Sequence, residues 1–234
     1  MFEGLLPVPT FEDLLLPQCT TDDWLTAVDL DNLDAPNNVK SLIAKMQEVQ
    51  HIYLMGHTNV DGFMDTFLRI LRFDDYPCCL NWFCEKYEDY SFYNPCGYSI
   101  IMIHGRHHKY LTVLDGSVIV DADYSNRWRE ERVLLTTAKT MREIWKKHKD
   151  TGSPIYTYVI RVVGTQFTFY KATAYKPYVP ELEWMPPYSN WLTMQRHPPV
   201  VDSVHLNAYD VCNLEDRRAI LTGMASIRKF LTDT

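Results

Sequence analysis

The chain has 234 residues, of which 46% are hydrophobic, 13% aromatic and 23% charged, a composition that excludes a disordered or fibrous protein and implies a buried core. Its net charge of -7, from 23 basic and 30 acidic side chains, excludes a general electrostatic pull on nucleic acid. No apolar run approaches the roughly 20 residues of a spanning helix, and the acidic, Pro-containing start MFEGLLPVPTFEDLLLP reads as neither secretion signal nor membrane anchor, so an intracellular protein, nuclear or cytoplasmic, is expected.

Residues 1–50 read as an N-terminal helical extension packed on the core, with Thr20, Thr21, Asp22 and Asp23 ahead of Trp24 and a second helical run near Val39 to Val49. Residues 51–234 read as one α/β domain. Val60, Phe63, Met64, Phe67, Leu68 and Leu71 follow the i, i+3, i+4 rhythm of an amphipathic helix that Asn59 can cap and that Pro77, with no amide donor, stops. Between Tyr98 and Asp123 the pattern becomes YSIIMI, KYLTVL and SVIVDAD, and Asp115-Gly116 predicts a tight hairpin. That register sets Leu114 opposite Ser117, Thr112 opposite Ile119, Tyr110 opposite Asp121 and His108 opposite Asp123. One face would then carry His108, Tyr110, Asp121 and Asp123, and the other the apolar stripe of Leu111, Val113, Val118, Val120 and Ala122.

A helix follows, with Leu134, Ala138, Met141, Trp145 and His148 on one stripe, ending before Asp150 to Pro154. Two β-branched and aromatic strands, Tyr156 to Val163 and Gln166 to Ala174, join at Gly164-Thr165 and belong in a sheet centre. The Pro-rich stretch from Lys176 to Pro199 reads as an ordered loop over the body. A final helix is capped by Asn213, with Glu215 and Asp216 at its positive end and Leu214, Ile220, Leu221, Met224, Ile227 and Leu231 as its buried stripe. This order gives an α/β or α+β sandwich with a mixed sheet.

Candidate chemistry is sparse. The six Cys contain no C-x-x-C pair and read as buried free thiols in a reducing compartment. No Gly-rich phosphate loop, G-x-S-x-G elbow or H-E-x-x-H occurs. His104, His107 and His108 in HGRHH have the look of metal ligands, although within one strand His104 and His108 share a face that His107 does not. Asp121 and Asp123, two apart on a strand, project to one side, as the oxygen ligands of hydrolytic magnesium sites do. From Arg127 to Lys149 eight basic residues, among them Arg127, Arg129, Arg132, Arg142 and Lys146, stand against three Glu. This is either a nucleic-acid contact or a solvated helix face laced by pairs such as Glu143 and Lys147.

The order of NVDGFMDTFLRILRFDDYP, the hairpin ending in VIVDAD, a helix, YVIRVVGTQFTFYKA and LEDRRAILTGMASIRKFL, across about residues 50 to 231, resembles fungal PD-(D/E)XK nuclease-like proteins of the Crinkler-effector type. The resemblance implies a restriction-endonuclease-like core, a mixed β-sheet flanked by helices. In that superfamily an Asp from one strand and an Asp or Glu from the next hold a divalent ion, and a Lys two residues on positions the attacking water. Carried over, Asp121 takes the second acid position, Asp123 the Lys position, and His108 or Lys109 the place of the first Asp, while His57 and Arg129 stand near the sites of helical helper residues. Replacing Lys by Asp reverses charge at the water, and losing an Asp removes an anionic ligand.

The implied protein is a catalytically degenerate nuclease that binds nucleic acid or a protein partner, without a cofactor. One alternative is an altered Mg2+ or Mn2+ site of His57, His108, Asp121 and Asp123 that still hydrolyses phosphodiesters. Another is a structural or assembly protein using Trp184, Tyr188 and Trp191 as anchors.

Overall fold

The fold was analysed in a computed structural model that describes residues 29–34, 36–53, 60–84, 96–104, 107–115, the helical positions 133, 134, 136–138, 140, 141 and 144, and residues 154–174, 192–199 and 207–232. Two helices, α1 (Asn37–Tyr53) and α2 (Val60–Ile70), precede the strands β1 (Cys78–Cys84), β2 (Cys96–His104) and β3 (His107–Asp115). After the helical positions between 133 and 144 come β4 (Ile155–Val163), β5 (Gln166–Ala174), β6 (Leu192–His197), β7 (Tyr209–Asp210) and the helix α3 (Leu214–Thr232). The strands form one mixed sheet in the order β1-β2-β3-β4-β5-β6, with β7 also on β5. All adjacent pairs are antiparallel except β3 and β4. A parallel pair needs a crossover of a dozen or more residues, and the stretch holding the helical positions 133–144 supplies it.

Each face of the sheet is covered by helix. Leu111, Val113, Ile160, Val162, Phe167 and Phe169 face α1, α2 and α3 in one large core. The apolar stripe of α1, from Val39 through Leu42, Ile43 and Met46 to Val49, joins that core, and the helix runs without a break across residue 50. Phe63 and Phe67 of α2 meet the Phe167 ring at 6.0 and 5.5 Å between centroids, tying α2 to the sheet centre. On the other face Met141 and Ile144 pack on Tyr110, Ile155, Ala172 and Ala174, and Val133 packs with Leu114, Val159 and Tyr170.

Several local expectations hold because their causes are local. The β4–β5 turn pairs Val163 with Gln166, and Gly164 sits at φ 60, the left-handed conformation that a two-residue turn opening on Gly requires. At the start of α3 the Asn213 Oδ1 accepts from the amides of Glu215 and Asp216 at 2.9 and 3.2 Å. Ile220, Met224, Ile227 and Leu231 are fully buried along its stripe.

Other expectations are corrected. Over Leu111–Leu114, β3 lies between β2 and β4, so Leu114 is flanked by Gly97 and Arg161, and Thr112 by Ser99 and Val159, where the Asp115-Gly116 hairpin would have put Ser117 and Ile119. Tyr110, assigned to a polar face, is 5% exposed under the helical positions 141 and 144. HGRHH is not one strand: His104 closes β2 opposite His107, which opens β3. Residues 192–197, read as loop, form β6 on the outer edge of β5.

Termination of α2 also differs from the Pro77 expectation. Arg72 adopts φ 60, its amide donates to the Arg69 carbonyl at 2.9 Å, and the Phe73 amide donates to the Leu68 carbonyl at 3.0 Å. These are the paired bonds of a Schellman cap, with buried Phe73 and Leu68 as its apolar contact. The left-handed position is the one glycine fills at least cost, and here an exposed Arg occupies it. Arg72→Gly is expected to raise stability by about 0.5–1 kcal/mol, seen as a higher urea midpoint at unchanged slope; a lower midpoint would contradict this account of the cap.

Candidate functional site

Of the residues singled out from the sequence, His57, Asp121, Asp123, Arg127, Arg129, Arg132, Arg142 and Lys146 lie outside the described residues, as do Asn59, Trp24, Trp184, Tyr188 and Trp191. For His108 the backbone position is described: it sits in β3 opposite Ile103 of β2. Across Leu111–Leu114 both edges of β3 are taken, so the two-residue Asp115-Gly116 hairpin is replaced by pairing with β4, while Asp121 and Asp123 lie outside the described residues. The Tyr110 carbonyl instead accepts from the Thr157 hydroxyl at 3.1 Å.

Lys109 is described fully, and its ammonium is engaged with α3. Its Nζ donates to the Phe230 carbonyl at 2.6 Å and lies 5.0 Å from the centroid of the Phe230 ring. Phe230 belongs to the last turn of α3, where carbonyls lack intrahelical donors and the helix dipole favours a cation. Tyr158 meets the other side of this contact, its ring 5.1 Å from that of Phe230. Lys109 therefore fastens the end of α3 to the sheet. Lys109→Met is expected to cost about 1–2 kcal/mol in chemical denaturation, the sum of a charged hydrogen bond and a cation–π contact; an unchanged midpoint would remove this role.

A second polar cluster, for which the sequence reading had only the Asn213 cap and its flanking acids, gathers where β6, β7 and α3 meet the β4–β5 turn. The Val211 amide donates to the Thr165 carbonyl at 3.0 Å, fixing the chain after β7 to that turn. Arg217, 4% exposed, donates from Nε to the Val211 carbonyl at 2.9 Å and from Nη2 to the Cys212 carbonyl at 3.1 Å. Asp216 accepts from the Asp210 amide at 3.0 Å, and Asp210 accepts from the Cys212 amide at 2.9 Å. Burial, with the Asp210 charge adding to it, pushes the Cys212 thiol up to about 12, so this thiol is not a nucleophile at neutral pH.

Tyr209 extends the cluster to β6. Its hydroxyl lies 2.6 Å from His197 Nε2, and its ring lies 6.5 Å from Phe169, so the pair closes over the large core. Burial, then the Asp216 charge, holds the Tyr209 hydroxyl above the usual phenol range, and burial holds the His197 imidazole below the usual histidine range. Beside them the Arg196 guanidinium donates to the carbonyl of Pro198 and, at 2.6 Å, to that of Asn207, closing the chain between β6 and β7. The signal in the sequence was the run YDVCNLEDR, in which acids flank a helix-capping Asn and an Arg follows within one turn.

His197 and Tyr209 are close enough to share a proton. Among the described residues no group of three His, Cys, Asp or Glu side chains comes close enough to hold a metal ion. No helix among them is long and apolar enough to cross a membrane. Set beside known protein families, curated proteins and solved structures, the chain matches none of them.

The lowered His197 value has a stability consequence. Below the unfolded value near 6.5 the unfolded chain binds the proton more readily than the folded one, so stability falls as the pH drops through 6.5 towards the lower folded value. His197→Gln is expected to flatten that part of a stability-against-pH curve measured by urea denaturation, and a wild-type curve already flat there would count against the partly buried neutral imidazole.

Proposed function

We propose that this chain is a catalytically degenerate nuclease-fold protein that binds nucleic acid without cutting it. The observation that carries the reading is topological. A helix, an antiparallel β1-β2-β3 run, a helical crossover and a parallel β4, with helices on both faces, is the arrangement expected of a restriction-endonuclease-like core. Support for degeneracy comes from the strands themselves. β2 reads CGYSIIMIH with no carboxylate, and β3 reads HHKYLTVLD with one, at its last residue. A two-acid cation site needs anionic oxygens projecting from neighbouring strands, and in β3 the positions from Tyr110 to Leu114 are buried instead. Lys109, a candidate for the first acid position, holds α3.

Binding is attributed to the basic stretch from Arg127 to Lys149, with Arg127, Arg129, Arg132, Arg142 and Lys146 as phosphate contacts, since the rest of the chain is strongly acidic. Fluorescence anisotropy with labelled single- and double-stranded DNA and RNA tests this. Raising salt from about 50 to about 200 mM should weaken binding on the order of tenfold or more, and Arg129→Ala, Arg142→Ala and Lys146→Ala should each lower the salt slope by about 1. No product should appear with Mg2+ or Mn2+. Absence of binding at low salt would favour a protein partner and overturn the nucleic-acid reading. Divalent-ion-dependent cleavage lost in Asp121→Ala would overturn degeneracy and favour the altered His57, His108, Asp121, Asp123 site.

A further inference from the structure

The antiparallel ladder between β1 and β2 begins at Cys78 opposite Met102 and ends at Cys84 opposite Cys96. Two cysteines thus stand directly across from each other at the last rung, on either side of the eleven-residue connection 85–95. Directly opposed residues in an antiparallel pair have Cα atoms about 4.5–5.5 Å apart, whichever kind of rung they occupy, and a disulfide spans Cα separations of about 4.4–6.8 Å. The register therefore places the two Cα atoms within the span of a disulfide. Cys79 faces Ile101 and Cys78 faces Met102, so neither stands opposite a cysteine in this ladder. From this juxtaposition we propose that Cys84 and Cys96 are a redox modification site, an internal disulfide that forms on exposure to a disulfide oxidant and closes the β1–β2 connection.

The pairing has a mechanical consequence. Among the described residues β1 is the end of the sheet path, with a ladder to β2 alone. The segment that the bond would enclose, EKYEDYSFYNP, is rich in Tyr and in acids, so its connection is long and its composition polar and aromatic. Cross-linking the two sides of that connection removes conformational freedom from the unfolded chain and prevents β1 from peeling away at its C-terminal end. The chemistry balances with glutathione disulfide as oxidant. One cysteine thiolate attacks a glutathione sulfur, expelling a first glutathione thiolate; the second cysteine thiolate attacks the mixed disulfide, expelling the other. The two cysteine thiols are oxidised, the glutathione disulfide is reduced, and the two cysteine protons end on the two released glutathiones.

The test uses the full chain purified under reductant and then incubated with glutathione disulfide. Non-reducing digestion and mass spectrometry should find the Cys84 peptide joined to the Cys96 peptide, with the mass of two hydrogens lost, and non-reducing electrophoresis should show no covalent link between chains. The apparent melting temperature should rise by roughly 5–10 °C on oxidation and return on reduction. Cys84→Ser and Cys96→Ser should each abolish that rise, while Cys79→Ser should keep it. The proposal is overturned if oxidation leaves Cys84 and Cys96 separately alkylatable, stops at a stable glutathione adduct, or links Cys79 or two chains instead. Because the peptide map is read on the unmutated protein, it decides even where a serine variant does not fold.

Discussion

The parallel junction between β3 and β4 is the constraint on which the rest of the fold rests. β3 gives one edge to β2 and the other to β4, and from Tyr110 to Leu114 it is buried on both faces. A strand so enclosed cannot show the alternation of a half-exposed hairpin, which is why its sequence, KYLTVL, runs apolar nearly throughout. The parallel direction of β4 then obliges the chain to cross over the sheet, and the crossover lays the helical positions 133–144 on one face. The opposite face is left to α1, α2 and α3, whose stripes merge into a single core.

Polar groups near this core serve mainly to hold elements in place. Lys109 stabilises the last turn of α3, Asn213 its first turn, and Arg217 the carbonyls between β7 and α3. Each satisfies backbone groups that helix ends and short strands leave without partners. The ends of α3 are thus fixed by side chains far apart in sequence, and its buried stripe is presented to the sheet at a defined height. A charged residue in such a position has a structural assignment before any catalytic one.

The cluster at β6, β7 and the start of α3 also shows where proton chemistry is possible and where it is suppressed. His197 and Tyr209 are close enough to share a proton, yet burial favours the neutral form of each. Cys212 is held as a thiol by burial and by the neighbouring Asp210.

Local chemistry was legible in the sequence. The 3.6-residue stripes of α1, α2 and α3, the Gly164-Thr165 turn and the Asn213 cap all depend on residues within a turn or two of each other, and the structure has them where the pattern set them. Pairing across distance was not legible. Asp115-Gly116 carries a strong turn signal, but the edge of β3 that it would have filled is taken by a strand some forty residues on, because burying LTVL between β2 and β4 outweighs a local hairpin. The left-handed Arg72, the strand at 192–197 and the task of Lys109 are likewise decided by neighbours brought in from elsewhere, since Phe73, β5 and Phe230 supply the contacts that define them. Periodicity and capping need only the nearest residues, so the sequence determined the helices and the β4–β5 hairpin; edge strands, strand partners and the work of each charge need the whole chain folded, so the tertiary structure alone decided those.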